Sequence, residues 1–276
     1  MKKRILITGA SGFVGRQVLK YLTTKDVLVT LVVREGKELL FVNNSVVEST
    51  ILTQDLFAET DEWWANVLDS IDTVIHLAWY VQPGKYLDAP QNIDCLIGTL
   101  NLAKGAARAG VRRFIAVGTC FEYDLSKGAL TVETRLNPLT PYASAKVALY
   151  IALSSWLTEH SIEFSWCRLF YLYGEGEHEH RLAPYVHKQL QNGEIVELTN
   201  GKQIRDYLDV SVAGARIAEI ALGIQTGPMN ICSGNPITVR EFVENIADEY
   251  GARHLLKFDA IPDRENDPPF VVGAPY

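Results

Sequence analysis

A short apolar run followed at once by evenly spaced glycines constrains this chain more than any other stretch. Arg4 to Thr8 reads as a buried strand. Gly9-Ala10-Ser11-Gly12-Phe13-Val14-Gly15 follows, and Phe13 to Leu22 carries Val14, Val18, Leu19 and Leu22 at helical spacing. Strand, glycine turn and helix in that order form the start of a βαβ unit that binds a dinucleotide. Gly9 permits the tight turn, Gly12 lets backbone approach a pyrophosphate, and Gly15 lets the helix lie close to the strand. The backbone of Ser11, Phe13 and Val14 completes the helix N-terminus, whose free N–H groups and dipole favour phosphate.

More strands and helices alternate through the first half. Val27 to Val33 is a second strand, ending at Arg34-Glu35. An arginine at this strand end suits the 2′-phosphate of NADP, whereas an acidic residue would bind the ribose hydroxyl of NAD. Arg34 favours NADP(H); Glu35, one residue on, keeps NAD(H) open. Val46 to Leu52 is a third strand, followed by Asp55-Leu56. Asp55 can accept from an adenine amino group or cap a helix, and Leu56 lies beside it. A helix carrying Trp63 and Trp64 as packing residues comes next. Asp72 to Ala78 is a fourth strand. Its small Ala78, with Leu77 and Trp79, passes close to the cofactor, and His76 reads as a satisfied core histidine. A helix from Gln91 to Ala109 stops at Gly110, and Arg113 to Val117 is the fifth strand. Such alternation specifies an α/β fold, a Rossmann-type doubly wound parallel sheet. Its ligands bind at the carboxyl ends of the strands, where Thr119 lies.

Tyr142 and Lys146, four residues apart, share one helix face. A phenol whose pKa is lowered by a neighbouring ammonium can protonate a carbonyl oxygen, or deprotonate an alcohol, as hydride moves at the same carbon. The Thr119 hydroxyl can bond the same oxygen. The expected catalytic set is therefore Thr119, Tyr142 and Lys146.

Composition limits the partners. The chain has 276 residues and a net charge of -7, which argues against a nucleic-acid or anionic-membrane partner. Lys2, Lys3 and Arg4 precede only Ile5-Leu6-Ile7 before polar residues, too short a run for a secretory leader. No apolar run approaches the roughly 18 residues needed to span a bilayer. The four cysteines are scattered without a C-x-x-C pair, as in reduced packing residues of a cytoplasmic protein.

Taken together, these residues resemble an extended short-chain dehydrogenase/reductase of the NAD-dependent epimerase/dehydratase family. The likeness runs through Gly9-Gly12-Gly15, Asp55, His76-Leu77-Ala78, Asn92, Gly98-Thr99, Thr119, Tyr142, Lys146, Arg168, Tyr173-Gly174 and Arg205-Asp206-Tyr207. It implies a Thr-Tyr-Lys triad whose Tyr142 and Lys146 also touch the cofactor, the lysine holding the nicotinamide ribose, and a nucleotide-sugar substrate against the C-terminal part. Gly118-Thr119-Cys120-Phe121-Glu122-Tyr123 and Leu198 to Tyr207 resemble the subgroup that reduces nucleotide-linked 4-keto-6-deoxyhexoses. Dehydratases of the family carry an Asp-Glu pair after the threonine; Cys120 and Phe121 stand there instead and are expected to face substrate. The alternatives are a 4-epimerase that retains NAD, or a non-catalytic cofactor-sensing or partner protein. The resemblance also implies a possible homodimer and no metal.

Residues 1–172 are thus expected to form the dinucleotide-binding domain. Residues 173–276 form mainly a smaller substrate-binding α/β part, with some elements returning to the first. Pro141 to His160 is expected as a helix and Ser165 to Leu169 as a strand, with Arg168 structural or near the cofactor. Gly174 to His180 reads as a solvated loop or pocket edge. Leu182 to Gln191 reads as a helix, Glu194 to Leu198 as a strand and Ser211 to Gly223 as a helix. Thr238 to Glu241 is a capping box opening another helix. Arg205 is expected to clamp a diphosphate, and Arg264 does so by family position. Relatives continue past the position of Tyr276, so a shortened C-terminus is expected.

Overall fold

The computed structural model describes residues 2–37, 44–263 and 267–276. The first half gives β1 (Lys3–Thr8), α1 (Phe13–Leu22), β2 (Val27–Arg34), β3 (Val47–Thr53), α2 (Asp61–Val67), β4 (Thr73–His76), α3 (Gln91–Arg108) and β5 (Arg113–Thr119). The chain continues through β6 (Ala129–Leu130), α4 (Pro141–Glu159), β7 (Glu163–Leu169), β8 (Tyr171–Tyr173), α5 (Leu182–Gln191), β9 (Val196–Glu197) and β10 (Ile204–Asp209). It ends with α6 (Val210–Leu222), β11 (Gly227–Ile231), β12 (Pro236–Thr238), α7 (Val239–Glu249), β13 (Leu256–Lys257) and β14 (Phe270–Gly273).

Seven strands form one sheet in the order β3-β2-β1-β4-β5-β7-β11, and every pairing is parallel. Because alternate side chains leave a strand on opposite faces, β1 feeds two cores. Ile5 and Ile7 join the apolar layer under α1 and α6, while Leu6 joins the layer under α2, α3 and α4. Both faces are covered, as a parallel sheet requires. The elements α6 and β11 lie beyond residue 173 yet belong to this sheet and its helical layer. A smaller sheet, β12-β10-β14-β6 with β8 against β10, borders a separate apolar cluster that includes residues of α5 and α7.

Local signals explain most boundaries. The Thr60 side chain caps α2, Thr140 caps α4 with Pro141 in the first turn, and Thr238 caps α7. Three expectations shift. β4 stops at His76, so Leu77, Ala78 and Trp79 have left the sheet. β5 runs on to include Thr119. The strand expected over Glu194 to Leu198 shrinks to Val196–Glu197, because among the described residues only the two-residue β13 pairs with it. The four cysteines are buried and free.

The glycine turn is a steric fit against the sheet. Gly9 has φ +76°, and a Cβ there would lie 2.6 Å from the Ala78 nitrogen. A Cβ on Gly15 would lie 2.1 Å from the Gly9 carbonyl oxygen. Both obstacles are backbone, so no rotamer relieves them. Gly15→Ala is expected to destabilise the fold by about 1–3 kcal/mol or more, seen as a lowered urea midpoint; an unchanged midpoint would show that α1 can move away.

Candidate active site

β5 turns directly into a single 3-10 turn, Cys120–Glu122. Thr119 and Glu122 close a capping box: Thr119 Oγ1 accepts the Phe121 N–H at 3.3 Å, and Glu122 Oε1 accepts the Thr119 N–H at 2.8 Å. Glu122 is wholly buried. It also accepts from Trp166 Nε1 at 3.0 Å and from Arg168 Nε at 2.6 Å, both on β7. Arg168 Nη1 donates to the Tyr123 hydroxyl, which donates to Asn230 on β11 at 2.7 Å. Burial pushes the Glu122 pKa up, but the carboxylate receives only donors, which favours its ionised form. Arg168, in turn, is held more firmly protonated by Glu122. It is buried beneath the end of β5, paired with Glu122.

Tyr142 and Lys146 occupy the first turns of α4. The Tyr142 N–H donates to the Leu87 carbonyl at 2.9 Å. Lys146, 2% exposed, donates to the Val117 carbonyl of β5 at 2.8 Å. Thr119, Tyr142 and Lys146 are thereby gathered around the carboxyl end of β5. One expectation is corrected here. Burial raises the Tyr142 pKa above its ordinary value, with the Thr119 hydroxyl acting against the rise. Burial also drives Lys146 down to about 7, Glu122 and Cys95 acting the other way. Desolvation therefore sets the direction at both groups, against the lowered phenol pKa that the Tyr–Lys spacing suggests.

Several contacts were not visible as a pattern in the sequence. Trp79 donates through Nε1 to Asn92 at 2.8 Å, and the Asn92 amide donates to the carbonyls of Tyr86 and Ala89. The Tyr86 ring stands edge-on to Tyr142 at 4.9 Å. This loop is brought to the site by α3, whose residues lie far from Tyr142 in the chain. The sequence names Trp79 and Asn92 but not these partners, while Glu122 carried a readable signal in the T-x-x-E spacing after Thr119.

The cofactor candidates line up along the strand ends. α1 has Gly12 as its N-cap, with no side-chain cap and no acidic residue in its first turn, so its free N–H groups suit an anion. A Cβ at Gly12 would meet only the Gly9 carbonyl, leaving space over the backbone of Ser11, Phe13 and Val14. These residues fit a dinucleotide pyrophosphate. Arg34 is exposed at the end of β2. Asp55 does not cap α2; its Oδ1 accepts the Phe57 N–H at 3.0 Å. It borders a concavity of about 150 Å³ with Phe57, Ala58, Asp94 and Ile97. Leu56 packs against the sheet, and Leu77 against the opposite core. His76 is buried between the Thr8 and Thr99 hydroxyls at 2.8 and 2.9 Å, a satisfied core histidine.

The substrate candidates fare differently. Cys120 is buried in an apolar cluster, and Phe121 packs partly buried against it, edge-on to Tyr171. Arg205 is not an open clamp. It is buried, donates to Asp267 at 2.6 Å and to the Ile204 carbonyl, and lies over the Tyr171 ring. An ion pair between β10 and the segment just before β14 engages the guanidinium that the diphosphate was expected to use. Arg264 lies outside the described residues. A cavity of about 220 Å³ lined by Asn200, Lys202, Gln203, Asp263, Asp267 and Pro269 adjoins this pair. In the loop after β8, Glu177 pairs with Arg181 at 3.3 Å. Among the described residues no cluster of three His, Cys, Asp or Glu side chains is placed to hold a metal, and no helix is long and apolar enough to cross a membrane.

The sheet order, the glycine turn and the Tyr–Lys pair define a dinucleotide-binding enzyme of the oxidoreductase kind. The model of the NAD dependent epimerase/dehydratase family matches residues 5–215, and the chain belongs to that family. It is 25% identical over 272 residues to a dTDP-6-deoxy-L-talose 4-dehydrogenase (NAD(+)) of Aggregatibacter actinomycetemcomitans, covering 98% of this chain and 99% of that one. It is 27% identical over 263 residues to a GDP-6-deoxy-D-mannose reductase of Pseudomonas aeruginosa, covering 90% and 80%. A UDP-N-acetylglucosamine 4-epimerase from Methanobrevibacter ruminantium shares the fold with a TM-score of 0.87 at 21% identity, over 99% of this chain and 90% of that one.

Two outcomes follow for stability. Glu122→Ala leaves Arg168 buried without its partner and is expected to cost about 3–5 kcal/mol, measurable as a lower denaturation midpoint. His76, whose pKa burial lowers to about 3, stays neutral in the fold. The unfolded chain takes up a proton below its ordinary value of 6.5, so this contribution is full above that pH and fades as pH falls towards 3. The stability gap between wild type and His76→Asn should therefore narrow on acidification; a constant gap would show that His76 is protonated in the fold.

Proposed function

We propose that this chain is an NAD(P)H-dependent reductase of the 4-keto group of a nucleotide-activated 4-keto-6-deoxyhexose. The gathering of Thr119, Tyr142 and Lys146 at the end of β5, across the strand ends from the glycine turn, carries the reading. A bound nicotinamide supplies the hydride. Tyr142 donates the proton to the carbonyl oxygen, and Thr119 hydrogen-bonds that oxygen. Lys146, when protonated, stabilises the phenolate left behind and holds the ribose. The buried phenol holds its proton until an acceptor arrives, as a general acid must.

The names of the relatives support the substrate class, since the talose 4-dehydrogenase and the mannose reductase both act on 6-deoxy sugars. Cys120 and Phe121, next to Thr119, offer no carboxyl pair for removing water. Arg34, exposed at the end of β2, favours NADP(H). The relative named for NAD(+) points the other way, and a titration with NADPH and NADH decides.

Tyr142→Phe is expected to lower turnover by about 10²–10⁴-fold with cofactor affinity preserved; a near-normal rate would remove Tyr142 from the mechanism. Denaturing purified protein and assaying released nicotinamide separates the two activities. A site that exchanges cofactor freely fits the reductase. NAD retained in stoichiometric amount fits a 4-epimerase, which recycles its hydride.

A further inference from the structure

Trp79 stands where the chain leaves β4 for α3, and the proton transfer above does not by itself require an indole there. Its ring carries the Lys146 ammonium over its face, with Nζ 3.6 Å from the centroid. It also stands edge-on to Tyr142 at 6.4 Å. The bond to Asn92 sets the rotation of the ring, and Asn92 is itself fully buried and bonded to two backbone carbonyls.

The other groups facing Lys146 leave the indole a distinct task. From β5 the Val117 carbonyl accepts one N–H. From the turn after β5 comes Glu122, already bound to Arg168, Trp166 and the Thr119 N–H. From α3 comes Cys95, whose thiol burial pushes up to about 11 and so keeps neutral. From β4 comes the neutral His76, and from β7 the Trp166 ring at a more distant 5.9 Å. On α4 itself stands Tyr142, protonated. Among the described residues, the Trp79 face is the close electron-rich surface with no other cation against it, and a desolvated ammonium gains most from such a face.

We propose that Trp79 is a positioning residue that keeps Lys146 charged and aimed at the end of β5, with Asn92 fixing the indole. Its consequence for turnover rests on the role given to Lys146 above; its effect on the lysine does not. The test is an NMR pH titration of full-length protein carrying ¹³Cε-labelled lysine, with the Lys146 signal identified by its loss in Lys146→Arg. Removing the ring face disfavours the ammonium, so Trp79→Leu should titrate about one pH unit lower than wild type, with Trp79→Phe between them. An unchanged or higher midpoint in Trp79→Leu overturns the proposal. Should Trp79→Leu fail to fold, Trp79→Phe decides, a downward shift supporting the proposal and none overturning it. The alkaline limb of kcat/KM, measured on a 4-keto-6-deoxy sugar nucleotide, should move with the midpoint. A moved midpoint with an unmoved limb upholds Trp79 and removes Lys146 from the reaction.

Discussion

One buried carboxylate holds the end of β5 in place, and the rest of the site is arranged around it. Glu122 gathers the Thr119 N–H, the Trp166 indole and the Arg168 guanidinium. From Arg168 the chain of bonds passes through Tyr123 to Asn230, which donates to the carbonyls of Leu130 and Ala274. One polar network thereby joins three strands of the large sheet to β6 of the small one. An unpaired charge in such a place would cost several kcal/mol. The network tolerates burial because each charged or polar member has partners within it.

The opposite wall is a loop rather than a strand. After His76 the chain passes the glycine turn at a distance no side chain would allow, then folds back over α4. Asn92 ties three points of this loop together, and the Leu87 carbonyl receives the Tyr142 N–H. The tyrosine therefore sits between a rigid strand end and a pinned loop. Its phenol is shut away from water, as is the lysine one turn further along α4. Burial acts in opposite directions on the two, raising the acid and lowering the base, since both charged forms lose solvation.

Much of the architecture was legible wherever a short-range signal governed it. Phe13–Leu22 and Leu182–Gln191 begin and end at their expected bounds, and the helix after Thr238 begins at its expected cap, because caps and apolar periodicity act locally. The strand expected over Glu194 to Leu198 was less secure, since pairing with a distant partner sets its length. The surroundings of Asp55 and Arg205 were hidden for a similar reason: Thr60, not Asp55, caps α2, and Asp267, far along the chain, pairs with the Arg205 guanidinium.

The sequence by itself determined the alternation of strands and helices in the first half of the chain, the glycine turn, and the pairing of Tyr142 with Lys146. Each of these depends on residues within a few positions of one another, where backbone sterics and helical period decide the outcome. Only the tertiary structure decided which groups surround that pair: Glu122 bound to Arg168, Trp79 over Lys146 and Tyr86 against Tyr142. It also decided the balance of charge. Desolvation depends on everything packed around a side chain, and no spacing along the chain encodes it.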